Sequence, residues 1–527
     1  MADQTRPLGA QISHMLKDRG VDVIFGIPGV HNQEMYRGIE EAGITHVLAR
    51  HEQGAGFMAD GYARATGRPG VAYVITGPGL TNIMTPMGQA YSDSVPMLVI
   101  SSCLDETAAR RGQLHQMKDQ RAAAETVCDW SEEARTPEAA YALIDRAFAE
   151  FKMNRPRPKH IQVPISLLEA DAPPPPAEVA TWRDEAFRLP PLVTEQILQA
   201  KRPLFIVGGG ARGLGYSLAD VRKALGAASF ETYAGRGAAG GGALHFGSYL
   251  ARPSSAEVIG SADCVVLLGT EMAETDLWRA RAGIEGFCVQ VDIDPANRSA
   301  EADVHLICDA EDFLDALLKV LEGHEPVAEW DPAEIRKAKR RWQAEVDAEY
   351  PGVLRVVDAL RKCVPKLTTV YSDMTQFAYA AKEVWPMTHS GCWHHPYGFG
   401  TLGYALPAAI GGAVAVPRKF SFPTMAIMGD YGFHYTMAEL GVAVELGLPI
   451  PILLWDNGKL GAIEASMVGA QIAPNAVIAR NPDFVRLAEA FGATAVKPGS
   501  LEEMQAAVQQ AFSAAGPTLI HVTPDIS

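Results

Sequence analysis

The chain has 527 residues, of which 48% are hydrophobic, and its formal net charge is −16. This length predicts about three domains of ordinary size. The negative charge argues against nucleic acid or an anionic membrane surface as the main partner. No stretch approaches the roughly 20 apolar residues that a membrane-spanning helix needs. The polar N-terminus, Met1 to Pro7, has no signal-peptide core, and seven scattered cysteines without a CxxC pair fit reduced thiols, so we expect a cytoplasmic protein.

Short apolar runs alternate with helical periodicity along the chain, which predicts an α/β protein with mainly parallel sheets. The runs are Val21 to Phe25, Val71 to Ile75, Met97 to Ile100, Leu204 to Val207, Cys264 to Leu268, Met425 to Met428 and Ile450 to Trp455. Two breaks divide them, a proline-rich linker at Asp171 to Ala177 and a second break at Gly323 to Pro332. We therefore expect three doubly wound domains at about 1–170, 185–325 and 350–527.

Two segments of the first domain carry candidate functional side chains. Glu52 lies in the run Arg50 to Arg64, and on the residues alone it is a carboxylate at a helix start, where the helix dipole favours negative charge. His115 and Gln116 follow Leu114, and His115 is either a proton donor or an ordinary surface histidine.

The middle domain contains a glycine pattern that is typical of nucleotide sites. Gly208 to Gly213 fits GxGxxG after a predicted strand, and Glu231 follows about twenty residues later. A single match of this kind is a weak indication. We therefore expect an empty or vestigial site and keep a nucleotide-dependent oxidoreductase as an alternative.

The third domain carries two polar turns after successive predicted strands. The first strand ends at Met428 and leads into Gly429 to Phe433, before a helix with apolar residues at Met437, Leu440 and Val444. The second strand ends at Trp455 and leads into Asp456-Asn457-Gly458-Lys459. A carboxylate, an amide oxygen and a backbone carbonyl are hard ligands that suit Mg²⁺, and a helix N-terminus favours phosphate. The alternative is that Asp430 and Asn457 are ordinary turn residues.

These turns resemble the thiamine-diphosphate enzymes, in which Gly-Asp-Gly is followed after about 25 residues by Asn-Asn. The chain departs from that pattern twice, because Tyr431 replaces the third Gly and Asp456 replaces the first Asn. The resemblance implies that Mg²⁺ is held by Asp430, the Asn457 side chain and the Lys459 carbonyl.

The segment around Glu52 resembles the Arg-His-Glu-Gln-Ala-Ala run of acetolactate-synthase-like enzymes and thiamine-dependent decarboxylases. The resemblance implies that Glu52 hydrogen-bonds N1′ of the cofactor's aminopyrimidine, so that N4′ removes the C2 proton of the thiazolium. It also implies that Leu402 wedges between the two cofactor rings, a proximity effect. Matching segments imply further cofactor contacts at Pro28, Asn82, Gln116, Gln376, Thr401, Gly429, Tyr431, Gly432 and Leu460.

The resemblance also bears on whether the enzyme is a decarboxylase or a carboligase. Pyruvate-type decarboxylases carry a histidine pair, and acetolactate synthases a glutamine, where this chain has His115 and Gln116. Glu464, on the segment after Asn457, is a further candidate for facing the substrate. We therefore expect non-oxidative decarboxylation of a 2-oxo acid in a homodimer or homotetramer, with carboligation of the acetolactate synthase type as the alternative.

A looser resemblance concerns the substrate. Together, the segments around His31, His115, Asp430 and Asn457 look like 5-guanidino-2-oxopentanoate decarboxylases, which indicates a substrate with a cationic tail. Acidic residues that could meet a guanidinium group are Glu271, Glu274, Asp276 and Glu464.

Overall fold

The protein is described here from a computed structural model covering residues 5–105, 111–177, 187–415 and 422–527. Its strands are β1 (Arg6–Pro7), β2 (Val23–Gly26), β3 (Thr45–Leu48), β4 (Gly70–Val74), β5 (Met97–Cys103), β6 (Trp130–Glu133), β7 (Lys159–Pro164), β8 (Asp171–Ala172), β9 (Pro203–Val207), β10 (Ala228–Glu231), β11 (His245–Gly247), β12 (Cys264–Leu268), β13 (Phe287–Asp292), β14 (Val304–Ile307), β15 (Thr369–Ser372), β16 (Trp393–His394), β17 (Thr424–Gly429), β18 (Pro451–Trp455), β19 (Thr494–Val496) and β20 (Thr518–Val522).

The helices are α1 (Leu8–Asp18), α2 (Gln33–Glu41), α3 (Glu52–Thr66), α4 (Pro78–Ser92), α5 (Gln120–Glu125), α6 (Pro137–Met153), α7 (Ile165–Glu169), α8 (Pro191–Gln199), α9 (Gly215–Leu225), α10 (Ser255–Gly260), α11 (Glu274–Leu277), α12 (Ala310–Val320), α13 (Pro332–Glu349), α14 (Val353–Cys363), α15 (Gln376–Val384), α16 (Ala405–Val414), α17 (Asp430–Thr436), α18 (Leu440–Glu445), α19 (Gly461–Gly469), α20 (Phe484–Ala490) and α21 (Leu501–Ala511). Within the described ranges, no helix is long and apolar enough to cross a bilayer.

The chain forms two compact units. The first holds Met1–Trp182, Thr369–Met374 and Phe399–Ser527, and the second holds Arg183–Thr368 and Thr375–Gly398. The first unit contains two parallel sheets, with the orders β3-β2-β4-β5-β7-β6 and β15-β17-β18-β20-β19. The chain order reverses between β2 and β4, and the crevice beyond such a reversal is where open α/β sheets bind ligands.

The two sheets of the first unit share one apolar core, to which helices α3 and α16 contribute. The helices approach each other at glycines. A Cβ on Gly61 would lie 2.0 Å from the Ala408 carbonyl oxygen, and one on Gly411 would lie 1.9 Å from the Met58 carbonyl oxygen. Close packing of this kind leaves no room for a methyl group, so these glycines set the distance between the helix that begins at Glu52 and the helix that follows Leu402.

A buried charged network lies beside the same crossing. The Arg64 guanidinium contacts Asp60 at 2.6 Å and Asp93 at 2.8 Å, and the Tyr404 hydroxyl donates to Asp60 at 2.7 Å. Arg64 is 8% exposed and Asp60 is fully buried. Because a buried charge needs its partners, this network ties α3 to the start of α16.

The second unit is built on one parallel sheet with the order β11-β10-β9-β12-β13-β14. The predicted fold class, α/β with three mainly parallel sheets, is confirmed. One local expectation was wrong, since the predicted linker does not begin at Asp171. Asp171–Ala172 forms β8, which pairs with β1, and Gln11 donates to the carbonyl of the buried Ala172 at 3.2 Å.

Candidate active site

Asp430 and Asn457 follow neighbouring strands, as predicted. Strands β17 and β18 pair in parallel with Gly429 opposite Trp455, so both polar turns leave the same edge of the sheet. Asp430 is 2% exposed, and burial, as the largest cause, raises the pKa of its carboxyl group. The site therefore holds a carboxylate whose charge would be stabilised by a cation.

Two residues that the sequence analysis did not single out complete this region. The Asn481 amide donates to Asp430 at 2.7 Å and to Asp456 at 2.8 Å. His521, on β20, lies 2.8 Å from the other oxygen of Asp456. Burial raises the pKa of Asp456, but hydrogen bonds from His521 and Asn481 outweigh it and hold this pKa below its usual range. Asp456, in place of the expected Asn, is thus a paired carboxylate.

The oxygen donors present fit Mg²⁺. Asp430 supplies a carboxylate, Asn457 an amide oxygen and Lys459 a backbone carbonyl, which is the mixed set of hard ligands that this ion prefers. The Asn457 side-chain oxygen accepts the Lys459 N–H at 3.3 Å, and the Leu460 N–H is bonded to the Val477 carbonyl at 2.8 Å. The turn is therefore held by one of its own side chains and by the backbone of the segment around Val477.

The helix predicted through Met437, Leu440 and Val444 is divided in two. Helix α17 ends at Thr436, a single 3-10 turn covers Met437–Glu439, and α18 begins at Leu440. The expectation of one continuous helix was wrong because two polar side chains at the break bond to other segments. Thr436 donates to the Gly403 carbonyl at 2.8 Å, and Glu439 accepts backbone N–H groups near Glu52.

Glu52 is the first residue of α3. It is 8% exposed and accepts a hydrogen bond from the Asn82 side chain at 2.9 Å. His51 caps the helix by accepting the Gln53 N–H at 3.1 Å. A Cβ on Gly79 would lie 3.5 Å from the Glu52 carboxylate. Asn82, predicted to contact the cofactor, thus also orients the carboxylate.

The turn after β2 lies beside the start of α4. The Ile75 side chain fills the space next to Gly29, which follows Pro28, and next to Gly79: a Cβ on Gly29 would lie 2.2 Å from it and a Cβ on Gly79 2.8 Å. Because both positions are glycine, the Ile75 side chain can pack between the turn that contains Pro28 and the start of α4, beside Glu52.

Two histidines from separate loops meet at this edge of the sheet. The rings of His31 and His115 have centroids 5.0 Å apart, and both Nδ1 atoms are buried without a hydrogen-bond partner. Burial, followed by the charge of His115, lowers the pKa of His31. His115 lies on a turn with φ +63°, not on a helix, and a Cβ on Gly77 would lie 2.4 Å from its carbonyl oxygen. The pairing was not predicted.

Gln116 and Gln120 have different surroundings. The Gln116 side-chain oxygen accepts the Gly112 N–H at 3.1 Å and so closes its own turn, and its contact with the cofactor stays a prediction. Gln120, which the sequence analysis missed, is 4% exposed. It accepts the Gly77 N–H at 2.8 Å and donates to the Ser102 carbonyl at 2.8 Å. Gln120 therefore fixes the turn that leads into α4.

Leu402 is partly exposed, between Gly400 and Gly403, whose φ angles are +67° and +86°. The Gly403 N–H donates to the buried Asp373 at 2.8 Å, and the Thr401 hydroxyl donates to Gln89 at 2.9 Å. Burial raises the pKa of Asp373 to about 7. The left-handed glycines and these bonds hold Leu402 out of the core, as a wedge residue requires.

Gly432 explains why the chain accommodates Tyr431. A Cβ on Gly432 would lie 2.5 Å from an Asp373 oxygen, whereas Tyr431 is partly exposed. The close approach between the polar turn and Asp373 thus requires a glycine at Gly432, and it leaves room for a side chain at Tyr431.

The remaining candidates belong to the second unit or are already paired. Gln376 begins α15, in the second unit. Glu464, on α19, accepts Lys459 Nζ at 2.5 Å. The acidic candidates Glu271, Glu274 and Asp276 belong to the second unit, where Asp276 accepts the Tyr233 N–H at 3.0 Å.

The GxGxxG segment lacks the helix start that a dinucleotide site uses. A 3-10 turn covers Gly209–Ala211, and α9 begins only at Gly215. The Gly210 N–H is bonded to the Gly269 carbonyl at 3.0 Å, and the buried Glu231 accepts the Ala239 N–H at 2.8 Å. The groups that would receive a dinucleotide are thus engaged within the chain.

Comparison with known proteins agrees with the division into three α/β domains. Residues 6–123 match the N-terminal TPP binding domain of thiamine pyrophosphate enzymes, 192–317 their central domain and 373–522 their C-terminal TPP binding domain. A Pseudomonas aeruginosa protein named as a probable 2-ketoarginine decarboxylase is 41% identical over 98% of this chain and 94% of its own. The chain belongs to the thiamine pyrophosphate enzymes. Its cofactor is thiamine diphosphate, and the family resemblance is confirmed.

More distant relatives in this family are acetolactate synthases. The chain is 27% identical to the mitochondrial catalytic subunit from Saccharomyces cerevisiae, over 98% of this chain and 80% of the relative. It is 28% identical to the isozyme 3 large subunit from Escherichia coli, over 94% of this chain and 90% of the relative.

Proposed function

We propose that this thiamine pyrophosphate enzyme decarboxylates 5-guanidino-2-oxopentanoate, or 2-ketoarginine, to the corresponding aldehyde and CO₂. The observation that carries the proposal is the 41% identity, over nearly the whole chain, to the probable 2-ketoarginine decarboxylase. The acetolactate synthases are markedly less similar, which favours decarboxylation over carboligation.

In the proposed reaction, the residues of the first unit have separate roles in binding and activating the cofactor. Thiamine diphosphate supplies a carbon nucleophile and accepts the electron pair that the departing carboxylate leaves behind. Glu52, oriented by Asn82, would bind N1′ of the aminopyrimidine, and Leu402 would separate the cofactor's two rings. Asp430, Asn457 and the Lys459 carbonyl would hold Mg²⁺, which in turn binds the diphosphate.

The histidine pair is suited to supplying the proton that the reaction consumes. Conversion of a 2-oxo carboxylate to an aldehyde and CO₂ adds one proton to the carbon that loses its carboxylate. His31 and His115 present two neighbouring imidazoles with unpartnered Nδ1 atoms, and an imidazole ring can both bind and release a proton. We assign them the role of proton donor and proton relay in this step.

The carboxylate best placed to select the substrate is Glu464. It lies on α19, directly after the Asn457 turn, and is paired with Lys459. A guanidinium group pairs with a carboxylate through two parallel hydrogen bonds, which an ammonium cannot do. The substrate's tail would therefore replace Lys459 as the partner of Glu464.

The exposed apolar surface of α19 and the segment after it supports a homodimer or a dimer of dimers. Helix α19 has no buried residue, although it contains Ile463 and Val468. Ile463, Val468, Ile472 and Ile478 are 52–73% exposed. Apolar patches of this kind mark interaction surfaces, and a second copy of this chain is the partner we propose.

The test is a CO₂-release assay with 2-ketoarginine, 2-oxohexanoate and pyruvate. A charge-assisted bond contributes about 1.5–3 kcal/mol, so kcat/KM should favour 2-ketoarginine by roughly ten- to hundredfold. Equal rates with 2-oxohexanoate would refute the cationic specificity. Acetolactate formed from pyruvate as the main product would establish carboligation instead.

A further inference from the structure

Glu439 is a buried carboxylate next to the segment that carries Glu52. It is 1% exposed and ends the 3-10 turn between α17 and α18. Its carboxylate accepts the Arg50 N–H at 3.1 and 3.2 Å, and the His51 N–H at 3.0 Å. A side chain from the segment between β17 and β18 thus binds the two backbone amides that precede Glu52.

The Glu439 carboxylate also packs against the first turn of α3. A Cβ on Gly54 would lie 2.2 Å from a Glu439 oxygen. The first amides of a helix have no partner within the helix, and a negative charge at this end is favoured by the helix dipole. Glu439 therefore acts on the start of α3 from another part of the chain, and Gly54 leaves room for it.

Among the residues that the structure describes, no lysine, arginine or histidine side chain forms an ion pair with Glu439 that would offset its burial. Burial raises the pKa of Glu439 to about 7, against the lowering effect of the Arg50 and His51 amides. The other charges that act on it are those of Arg50, whose guanidinium bonds to Glu445, and Glu52. Desolvating a carboxylate is unfavourable, so the two backbone hydrogen bonds account for its position.

The same residue is connected to the metal turn. Helix α17 begins at Asp430 and ends at Thr436, and Glu439 is the last residue of the 3-10 turn that follows. One short helix and one 3-10 turn therefore separate the Asp430 turn from the carboxylate that binds the Arg50 and His51 amides.

We propose that Glu439 is a positioning residue for Glu52, fixing the start of α3 so that the Glu52 carboxylate keeps its place in the site. The inference rests on the role of Glu52 in the proposed function. It concerns orientation alone, since Glu439 bonds to backbone amides.

The test measures hydrogen–deuterium exchange at C2 of the bound cofactor, together with cofactor affinity, in the holoenzyme. Glu439→Ala should slow exchange by about tenfold or more, because small misplacements of a catalytic group are costly, and should leave cofactor affinity unchanged. Glu439→Gln retains one accepting oxygen and should fall in between. Glu445→Gln alters the partner of the Arg50 side chain without touching the amides, and should exchange like the unmodified protein.

Two further readouts separate positioning from general destabilisation. Gly54→Ala leaves Glu439 intact but displaces its carboxylate, and should reproduce the slow exchange even if Glu439→Ala does not fold. The exchange rate of the unmodified enzyme should also drop as the pH falls through about 7, because a protonated carboxyl group is a weaker acceptor. Glu439→Gln should lack this inflection.

The outcomes distinguish the positioning role of Glu439 from the catalytic role of Glu52. Wild-type exchange in Glu439→Gln and Gly54→Ala, with slow exchange in Glu52→Gln, would overturn the positioning role alone. Wild-type exchange in Glu52→Gln would overturn the catalytic assignment on which it rests.

Discussion

His115 has a backbone conformation that few side chains adopt. Its φ of +63° costs energy for a residue with a Cβ, and the surrounding turn brings its ring against His31. Strain retained at a site of this kind is consistent with a functional role for the pair.

Replacing His115 with Gln should lower the rate of aldehyde release by about a hundredfold or more, since positioned proton donors contribute roughly 10²–10⁴-fold. Cofactor binding should be unaffected. The control is His324→Gln, which changes a histidine of the second unit. Aldehyde release at the wild-type rate from His115→Gln would remove the pair from the mechanism.

Asp430→Ala should weaken binding of both Mg²⁺ and thiamine diphosphate, because the metal links the protein to the diphosphate. Titration of cofactor at fixed Mg²⁺, followed by calorimetry, measures this directly. Asp456→Asn restores the family's Asn at the neighbouring position and provides a matched comparison that should retain metal binding. Equal cofactor affinity in Asp430→Ala and the unmodified protein would contradict the assignment.

The residues of the site differ in how far sequence alone could predict them. Asp430 and Asn457 were predictable because each follows a strand, and parallel strands joined by one crossover lie side by side. Asn481, which bonds to Asp430, lies in a loop whose path depends on tertiary packing. The contact between His31 and His115 likewise joins two loops, and no local pattern predicts it.

At the scale of the secondary-structure elements, α3 and α16 cross in close contact. Gly61 and Gly411 pack against carbonyl oxygens of the opposing helix. The sequence predicted a helix start at Glu52, where α3 begins. It could not predict the contact of α3 with α16, because 344 positions separate Asp60, on α3, from Tyr404, whose hydroxyl donates to it at the start of α16.

Gly61→Ala should destabilise the protein by about 1–3 kcal/mol, the usual cost of forcing an extra methyl group into a close-packed contact. Thermal or denaturant unfolding monitored by circular dichroism measures the change. Gly469→Ala is a matched control, since Gly469 also lies in a helix but has no neighbour within 4 Å of its added Cβ. Equal losses in both variants would show that packing at the crossing is not the cause.

On the scale of the whole molecule, the proposed dimer implies that two subunits contribute residues to each active site. If Glu52 of one subunit and Asp430 of the partner subunit complete one site, then mixing inactive Glu52→Gln and Asp430→Ala proteins should restore activity. A mixed dimer would carry one doubly altered site and one intact site. The mixture is assayed after subunit exchange has been verified by mass spectrometry, and no recovery under those conditions would count against a shared site.

The core shared by the two sheets of the first unit has a consequence for the nascent chain. It joins residues from Val23 to Leu519, so the N-terminal sheet leaves the ribosome well before its partner sheet has been made. The intervening stretch of about 200 residues takes roughly 10–40 s to translate at about 5–20 residues per second. During that interval Phe57 lacks its ring contact with Tyr404, the residue before α16, and this is the stage of synthesis at which we expect chaperones to bind.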